Sequence, residues 1–338
     1  MKTVIVNTKK YVSKERIAKL VEKSDIKNVF DVFKDGIKYY FKHFPTLAKY
    51  MSFPVFGQIL GLIIIAITTT IFNSILPNLI TKYEIFQTPT TIISTAIIVT
   101  IPGLAIFLRA FWRYIAAYGT ISSMTANMIK SGNIYDISAH NELINRSAGQ
   151  YILLWLLLSV FGLFAIIPIF WVPALILFVY FVLIFQVFTL DEAHNSNGNA
   201  IASFKQSYGM IKGHFFSTLL LLFLVWLVSY VAIPQIFNWC SSKIGLASQI
   251  ISTLKMDPDF TINVTPHLTA MKAVELVIST IIATIVTMFT LPMRTITWTL
   301  WYKKLAPKYN RELKKASKKS KVVKLDQRIL DRAMEDYD

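Results

Sequence analysis

Five histidines, His43, His140, His194, His214 and His267, are the side chains of this 338-residue chain best suited to proton transfer near neutral pH or to metal ligation. None has a partner histidine at HxxxH spacing and no HExxH occurs, so a helical zinc site lacks its signal. The tightest acidic group is Asp191, Glu192 and His194. It reads as a solvated link at a span end, with metal or acid–base work as the alternative. The single cysteine, Cys240, excludes an intramolecular disulfide and a thiolate metal site, and reads as an inert thiol at a helix end. GxxxxGK[ST] and GxSxG are both absent, so nucleotide hydrolysis and serine-hydrolase chemistry lack their usual marks. The expectation is no enzyme, no cofactor and no metal.

Charge within apolar runs is the next place to look, because burying it in a bilayer costs at least about 2.5–3.5 kcal/mol on insertion scales. Arg109, Arg113, Glu275 and Arg294 all fall near the ends of such runs and can snorkel outward. No carboxylate sits at mid-depth, which counts against a proton relay or ion-coupled pump. Arg109 and Arg294 follow Pro102 and Pro292 in corresponding places. They can pair with lipid phosphates at the inner leaflet, or serve only as positive-inside anchors. Candidate lipid phosphate contacts are therefore Arg109, Arg113, Arg294, Lys205 and Lys212.

The remaining polar residues in these runs are neutral. Thr68, Asn73, Gln186 and Thr284 are candidates for a polar cavity or for helix–helix contacts. Gly57 and Gly61 give a GxxxG spacing that permits close helix approach.

The elements that carry these residues are set by composition. Hydrophobic residues make up 54% of the chain and charged ones 16%, against roughly a quarter charged in soluble domains. Mean hydropathy is +0.51. The apolar residues collect in runs near the ~20 residues that cross a hydrocarbon core. The reading is all-α: a polytopic membrane helix bundle of about six transmembrane helices plus two interfacial amphipathic helices. Spans are expected at about 55–76, 92–108, 149–168, 171–190, 216–237 and 274–292, within a membrane domain of 51–305.

Residues 1–50 form a basic cytoplasmic segment in which Val29, Phe30, Phe33, Ile37, Tyr40, Phe41 and Phe44 recur at helical spacing. This predicts an amphipathic helix, apolar side down on the inner leaflet. A second is predicted from Ile201, Phe204, Tyr208, Ile211 and Phe215. The charge along Met1 to Tyr50 argues against a cleavable signal, so the first span is expected to act as its own anchor. Residues 306–338 form a basic cytoplasmic tail. The polar stretch Trp239 to Met271 is expected as an outer loop.

Net charge is +16, and its placement fixes topology rather than pointing to nucleic acid. Twelve of the 35 Lys and Arg lie in the first fifty positions and twelve after Tyr302, which puts both termini in the cytoplasm by the positive-inside rule. Expected partners are anionic lipids at the inner leaflet and other proteins in the membrane, with no nucleic acid.

Phe33-Lys34 and His43-Phe44 align without a gap on Phe204-Lys205 and His214-Phe215. Each copy leads into a span and is followed by an outer loop, a second span and an exit of arginine with aromatics. Two like-oriented units flanking a central hairpin are one account; coincidental interfacial composition is the other.

The stretch AIASFKQSYGMIKGHFFSTLLLLFL, Ala200 to Leu224, resembles a segment of bacterial proteins related to the membrane domain of glycerophosphoryl diester phosphodiesterases. Ser203, Ser207, Lys212, Gly213 and Phe215 carry the likeness, and TWTLWYKKL, Thr297 to Leu305, is similar to that group's final helix. The resemblance implies a six-helix membrane domain and, for stand-alone members, no assigned activity. The functional expectation is a lipid- or partner-binding scaffold or accessory protein of the bacterial cytoplasmic (inner) membrane. The alternative is a transporter or lipid-handling protein with a site between the two repeated units.

Overall fold

A computed structural model describes residues 12–132, 134, 137–190, 199–253 and 269–311, with side chains from residue 27 onward. The Asp191–Glu192–His194 group, His267 and the basic tail beyond Arg311 lie outside the described residues, as do residues 254–268 of the expected outer loop. Every regular element described is helical.

Helix α1 covers Val12–Lys42 and α2 Phe44–Lys82. Helix α3, Pro89–Ser131, opens on a proline whose missing N–H has no intrahelical use there. It stops at Gly132, whose φ of 79° is a left-handed cap that a side chain would strain. Helix α4, Ile137–Arg146, meets α5, Ala148–Phe164, at a bend of 75°. After the proline-bearing break at 165–170 come α6, Trp171–Phe181, and α7, Ile184–Leu190. Helix α8 is Ala200–Ile211, its first turn capped by the Asn199 side chain. Helices α9, Phe215–Trp226, and α10, Ile233–Ile244, are joined by a π-helical segment, Leu227–Ala232. Helix α11, Leu246–Thr253, follows, so much of the expected outer loop is helical, with Ile251 buried. Helix α12, Ala270–Phe289, and α13, residues 291–311, run on as one rod.

Among the described residues five helices are long and apolar enough to cross a membrane, and a sixth counts if the bent α4–α5 pair is one span. The protein is a multi-pass integral membrane protein. The five apolar windows are only 6% to 22% buried within the molecule, leaving most of their surface for lipid.

The packed core gathers toward one end of these helices. The 41-residue rod Met271–Arg311 is about 60 Å long at 1.5 Å per residue, roughly twice a hydrocarbon core of about 30 Å. Its far half is the buried half, with Leu291, Met293, Ile296, Trp301 and Leu305 nearly or wholly inaccessible. The first turns of α2 (Leu47, Met51, Val55) and the last turns of α3 (Ala117, Ile121, Met124, Met128) join it in one cluster. A neighbouring cluster sets Trp298, Trp301, Tyr302 and Leu305 against Leu221 and Val225 of α9. This shared end of the molecule, here called the base, holds the fold together.

Helix α1 belongs to the base. Its buried positions are Val29, Val32, Gly36 and Tyr40, spaced three and four apart. They run antiparallel to the last rod: Lys304 Nζ donates to Asn28 Oδ1 at 2.7 Å, Gly36 abuts Thr297, and Tyr40 donates to the Phe289 carbonyl at 3.2 Å. The expected leaflet-facing stripe is thus turned largely onto the protein, leaving Phe30, Phe41 and Phe44 exposed. Helix α8 departs further from expectation. Ala200, Ser203, Ser207 and Met210 face inward while Ile201 and Tyr208 face out, because small side chains let α8 approach α6, where Ser207 donates to the Tyr180 carbonyl at 2.8 Å.

His43 and His214 occupy like places, each the residue before a long apolar helix, with φ/ψ of −110°/15° and −134°/27°.

Candidate functional site

Pro234 creates the local geometry of the site. Lacking an N–H, it cannot donate to the carbonyl of Tyr230 four residues back, and its ring would crowd that oxygen. The helix widens instead: the Ile233 N–H reaches the Val228 carbonyl, five residues back, and Leu227–Ala232 becomes π-helical. Such widened turns are rare and concentrate at functional sites. Here the turn aims Tyr230 at Arg294 of α13.

Arg294 is 6% exposed. Helical side chains lean toward the N-terminus of their helix, so its guanidinium reaches back to donate to the Thr287 carbonyl through Nη2 at 3.0 Å. Nη1 donates to the Tyr230 hydroxyl, and the guanidinium carbon stands 4.6 Å from the Tyr230 ring centroid. The Tyr114 hydroxyl also lies within hydrogen-bonding reach. All these partners are neutral, and Nε is buried without one. An ion pair, Arg146–Glu142, lies on the surface of α4.

From Thr287 a polar groove follows α12 away from the base, along α10. Its nearer part, about 430 Å³, is lined by Asn238, Ser279, Thr280, Thr284, Thr287 and Met288. It continues past Asn238 and Ser279 into a cleft of about 400 Å³ edged by Ser241, Ser242, Ser248, Lys272 and Glu275. The hydroxyls of Ser279 and Thr280 donate to the Leu276 carbonyl and that of Thr284 to the Thr280 carbonyl. With their hydrogens so used, they offer the groove lone pairs. Asn238 Oδ1 is buried there without a partner. The groove itself is thus a row of acceptors, and the buried Arg294 stands behind its Thr287 end, joined to it through the Thr287 carbonyl.

The residues singled out in the sequence do not converge. Thr284 lines the groove. Thr68 bonds back to the Ile64 carbonyl at 2.8 Å, and Asn73 faces outward on α2. Gln186 is buried far from the groove, donating to Ser122 at 3.3 Å. Arg109, Lys205 and Lys212 are exposed and Arg113 is half-buried. Arg294 alone among the candidate phosphate contacts is enclosed, because α13 continues into the base where the sequence reads an exit to the interface.

Of the histidines, His140 is buried, with Nδ1 2.8 Å from Ser123 Oγ and Nε2 3.3 Å from Asn127. Together with the Tyr50–Asn141 bond at 2.9 Å it fastens α4 against α3 and α2. Among the described residues no three His, Cys, Asp or Glu side chains come together.

Tyr230, Ser229, whose hydroxyl is buried without a partner, and Asn238 escaped the sequence reading. The available signal was Pro234, alone in the interior of an apolar run with polar residues on either side. Compared with protein-family models, curated proteins and solved structures, the chain matches none.

Proposed function

We propose that this chain is a lipid-handling protein of the bacterial cytoplasmic membrane, with both termini in the cytoplasm and no catalytic step. The groove between α10 and α12 receives the polar part of a membrane lipid. The observation that carries this reading is a groove lined by a row of polar side chains on a largely apolar, lipid-facing belt, where unsolvated polar groups are costly. The groove lies inside the second of the two like-oriented units rather than between them. The kinship of Ala200–Leu224 and Thr297–Leu305 with the membrane domain of glycerophosphoryl diester phosphodiesterases belongs to the same proposal.

A scaffold that binds partner helices is the second reading, favoured by the low burial of all five apolar windows. One experiment separates them. A photocrosslinking residue replaces Thr284 in one sample and Ile63, exposed on α2, in another, and both are irradiated in native membranes. The proposal expects lipid adducts through headgroup atoms at position 284 and acyl-chain adducts at 63. Headgroup adducts equal at both positions overturn it, and protein adducts at 284 establish the scaffold reading in its place.

A further inference from the structure

We infer that Arg294 is the anion-holding end of the α10–α12 groove, and that its ligand is a phosphate-bearing amphiphile whose headgroup also carries hydroxyl or ammonium donors. The inference rests on the groove being the lipid site, and it adds the chemistry of what fits there.

Arginine is charged at every physiological pH and is a donor at all five N–H positions. Held 94% buried, it would ordinarily be matched by a carboxylate. Here its neighbours are a tyrosine ring with its hydroxyl, a second tyrosine hydroxyl and a backbone carbonyl, with Nε left over. A planar fork with unsatisfied capacity is suited to a tetrahedral oxyanion, which it can grip through two parallel bonds.

The other requirements of the ligand come from the groove. Ser279 and Thr287 are eight positions apart on the helix, about 12 Å. Over that length the side chains of Ser279, Thr280 and Thr284 present acceptors, and Asn238 Oδ1 adds one more. A phosphate with hydroxyl or ammonium donors a few ångströms beyond it satisfies the arginine and the acceptors nearest Thr287 together. A fatty-acid carboxylate would satisfy only the arginine.

Tyr230 covers the guanidinium. It is 47% exposed on its outer side while its hydroxyl occupies Nη1. It sits in the π-helical turn, where the backbone ladder is already perturbed. A phosphate entering from the groove replaces that hydroxyl, and the ring swings toward the lipid.

The test uses the full chain, delipidated in detergent, with native mass spectrometry as readout. Wild type, Arg294→Gln, Arg294→Lys and Tyr230→Phe are each offered phosphatidylglycerol, phosphatidic acid and diacylglycerol, with and without millimolar inorganic phosphate. Wild type is expected to retain phosphatidylglycerol at least about tenfold over diacylglycerol and also above phosphatidic acid. Arg294→Gln abolishes the preference over diacylglycerol. Arg294→Lys keeps part of it, and Tyr230→Phe strengthens it by freeing Nη1. Displacement by inorganic phosphate assigns the site to a soluble phosphate compound, and persistence assigns it to the lipid. Wild-type preference in both Arg294→Gln and Tyr230→Phe overturns the inference. Should Arg294→Gln fail to fold, an unchanged preference in Tyr230→Phe overturns it alone. Lipid crosslinking at position 284 that survives in Arg294→Gln without headgroup preference in wild type leaves lipid handling standing and removes the anion site.

Discussion

Gly61 and Gly103 stand backbone to backbone: a Cβ on Gly61 would fall 2.8 Å from the Gly103 carbonyl oxygen, and one on Gly103 would fall 2.8 Å from that of Gly61. Gly57 extends the contact to Ala110, whose Cβ would lie 2.8 Å from a Cβ on Gly57. Backbone cannot move aside as a flexible side chain can, so Gly61→Ala must spread α2 from α3. The expected cost is about 1–3 kcal/mol, in the range of overpacked cores, against a gain of up to about 1 kcal/mol from better helix propensity. A thermal unfolding midpoint at or above wild type would contradict this contact.

Trp301, 1% exposed, donates its indole N–H to the Thr218 hydroxyl at 3.1 Å. Thr218→Val keeps the shape and strands that donor. A loss of about 1–3 kcal/mol is expected, with Thr218→Ser close to wild type. Equal midpoints for the valine and serine variants would remove the bond from the account.

The corner between α1 and α2 carries two opposed pH dependences. Burial pushes the Tyr40 hydroxyl up from 10 to about 12. The neutral form is favoured by folding, so its contribution is complete below pH 10 and is lost as pH climbs from 10 toward 12. His43 moves the other way, lowered first by burial and then by the charge of Lys42, with Nε2 buried and unpartnered. Its contribution is complete above the ordinary value of about 6.5 and is lost as pH falls below it. Midpoints measured from pH 5 to 11 should show a shallower alkaline slope in Tyr40→Phe and a shallower acid slope in His43→Gln. Unchanged slopes would detach these groups from the stability of the corner.

Pro234→Ala returns an N–H to the Tyr230 carbonyl and permits an ordinary α-helical ladder. Removing one residue's worth of widening rotates the two halves of the helix by about 100° relative to each other, which separates Tyr230 from Arg294 or turns Asn238 out of the groove. Amide exchange from 231 to 238 should slow in this variant. Exchange that stays as fast as in wild type means the π-helical turn has a cause other than Pro234.

What was legible in the sequence was whatever one helix decides alone. Apolar run length marks the membrane-crossing helices, and Gly57 and Gly61 announce a close approach that the α2–α3 pair makes. What needed three dimensions was whatever depends on a neighbour. The pattern of α1 is equally fit for a leaflet or for a protein surface, and Gly36 against Thr297 settles which. In α8 the expected apolar stripe is split: Ile211 is buried beside the small residues Ala200, Ser203 and Ser207, while Ile201 and Tyr208 face out. Arg294 looks like any interfacial arginine until the length of the last rod carries it inside. Asn73 and Thr284 have the same chemistry on paper, and only the second has a groove beside it.

The base has a further meaning for how this molecule responds to its surroundings. Hydrophobic cohesion requires water as the competing solvent, and lipid tails exert no such pressure on apolar helices. A fold whose tight packing gathers where its helices outrun the bilayer is governed by two solvents in series. Urea, which acts on exposed peptide and apolar surface, should loosen the clusters around Met51 and Trp301 before disturbing the apolar windows. Such a protein comes apart from its watery end, with its membrane segments still threaded.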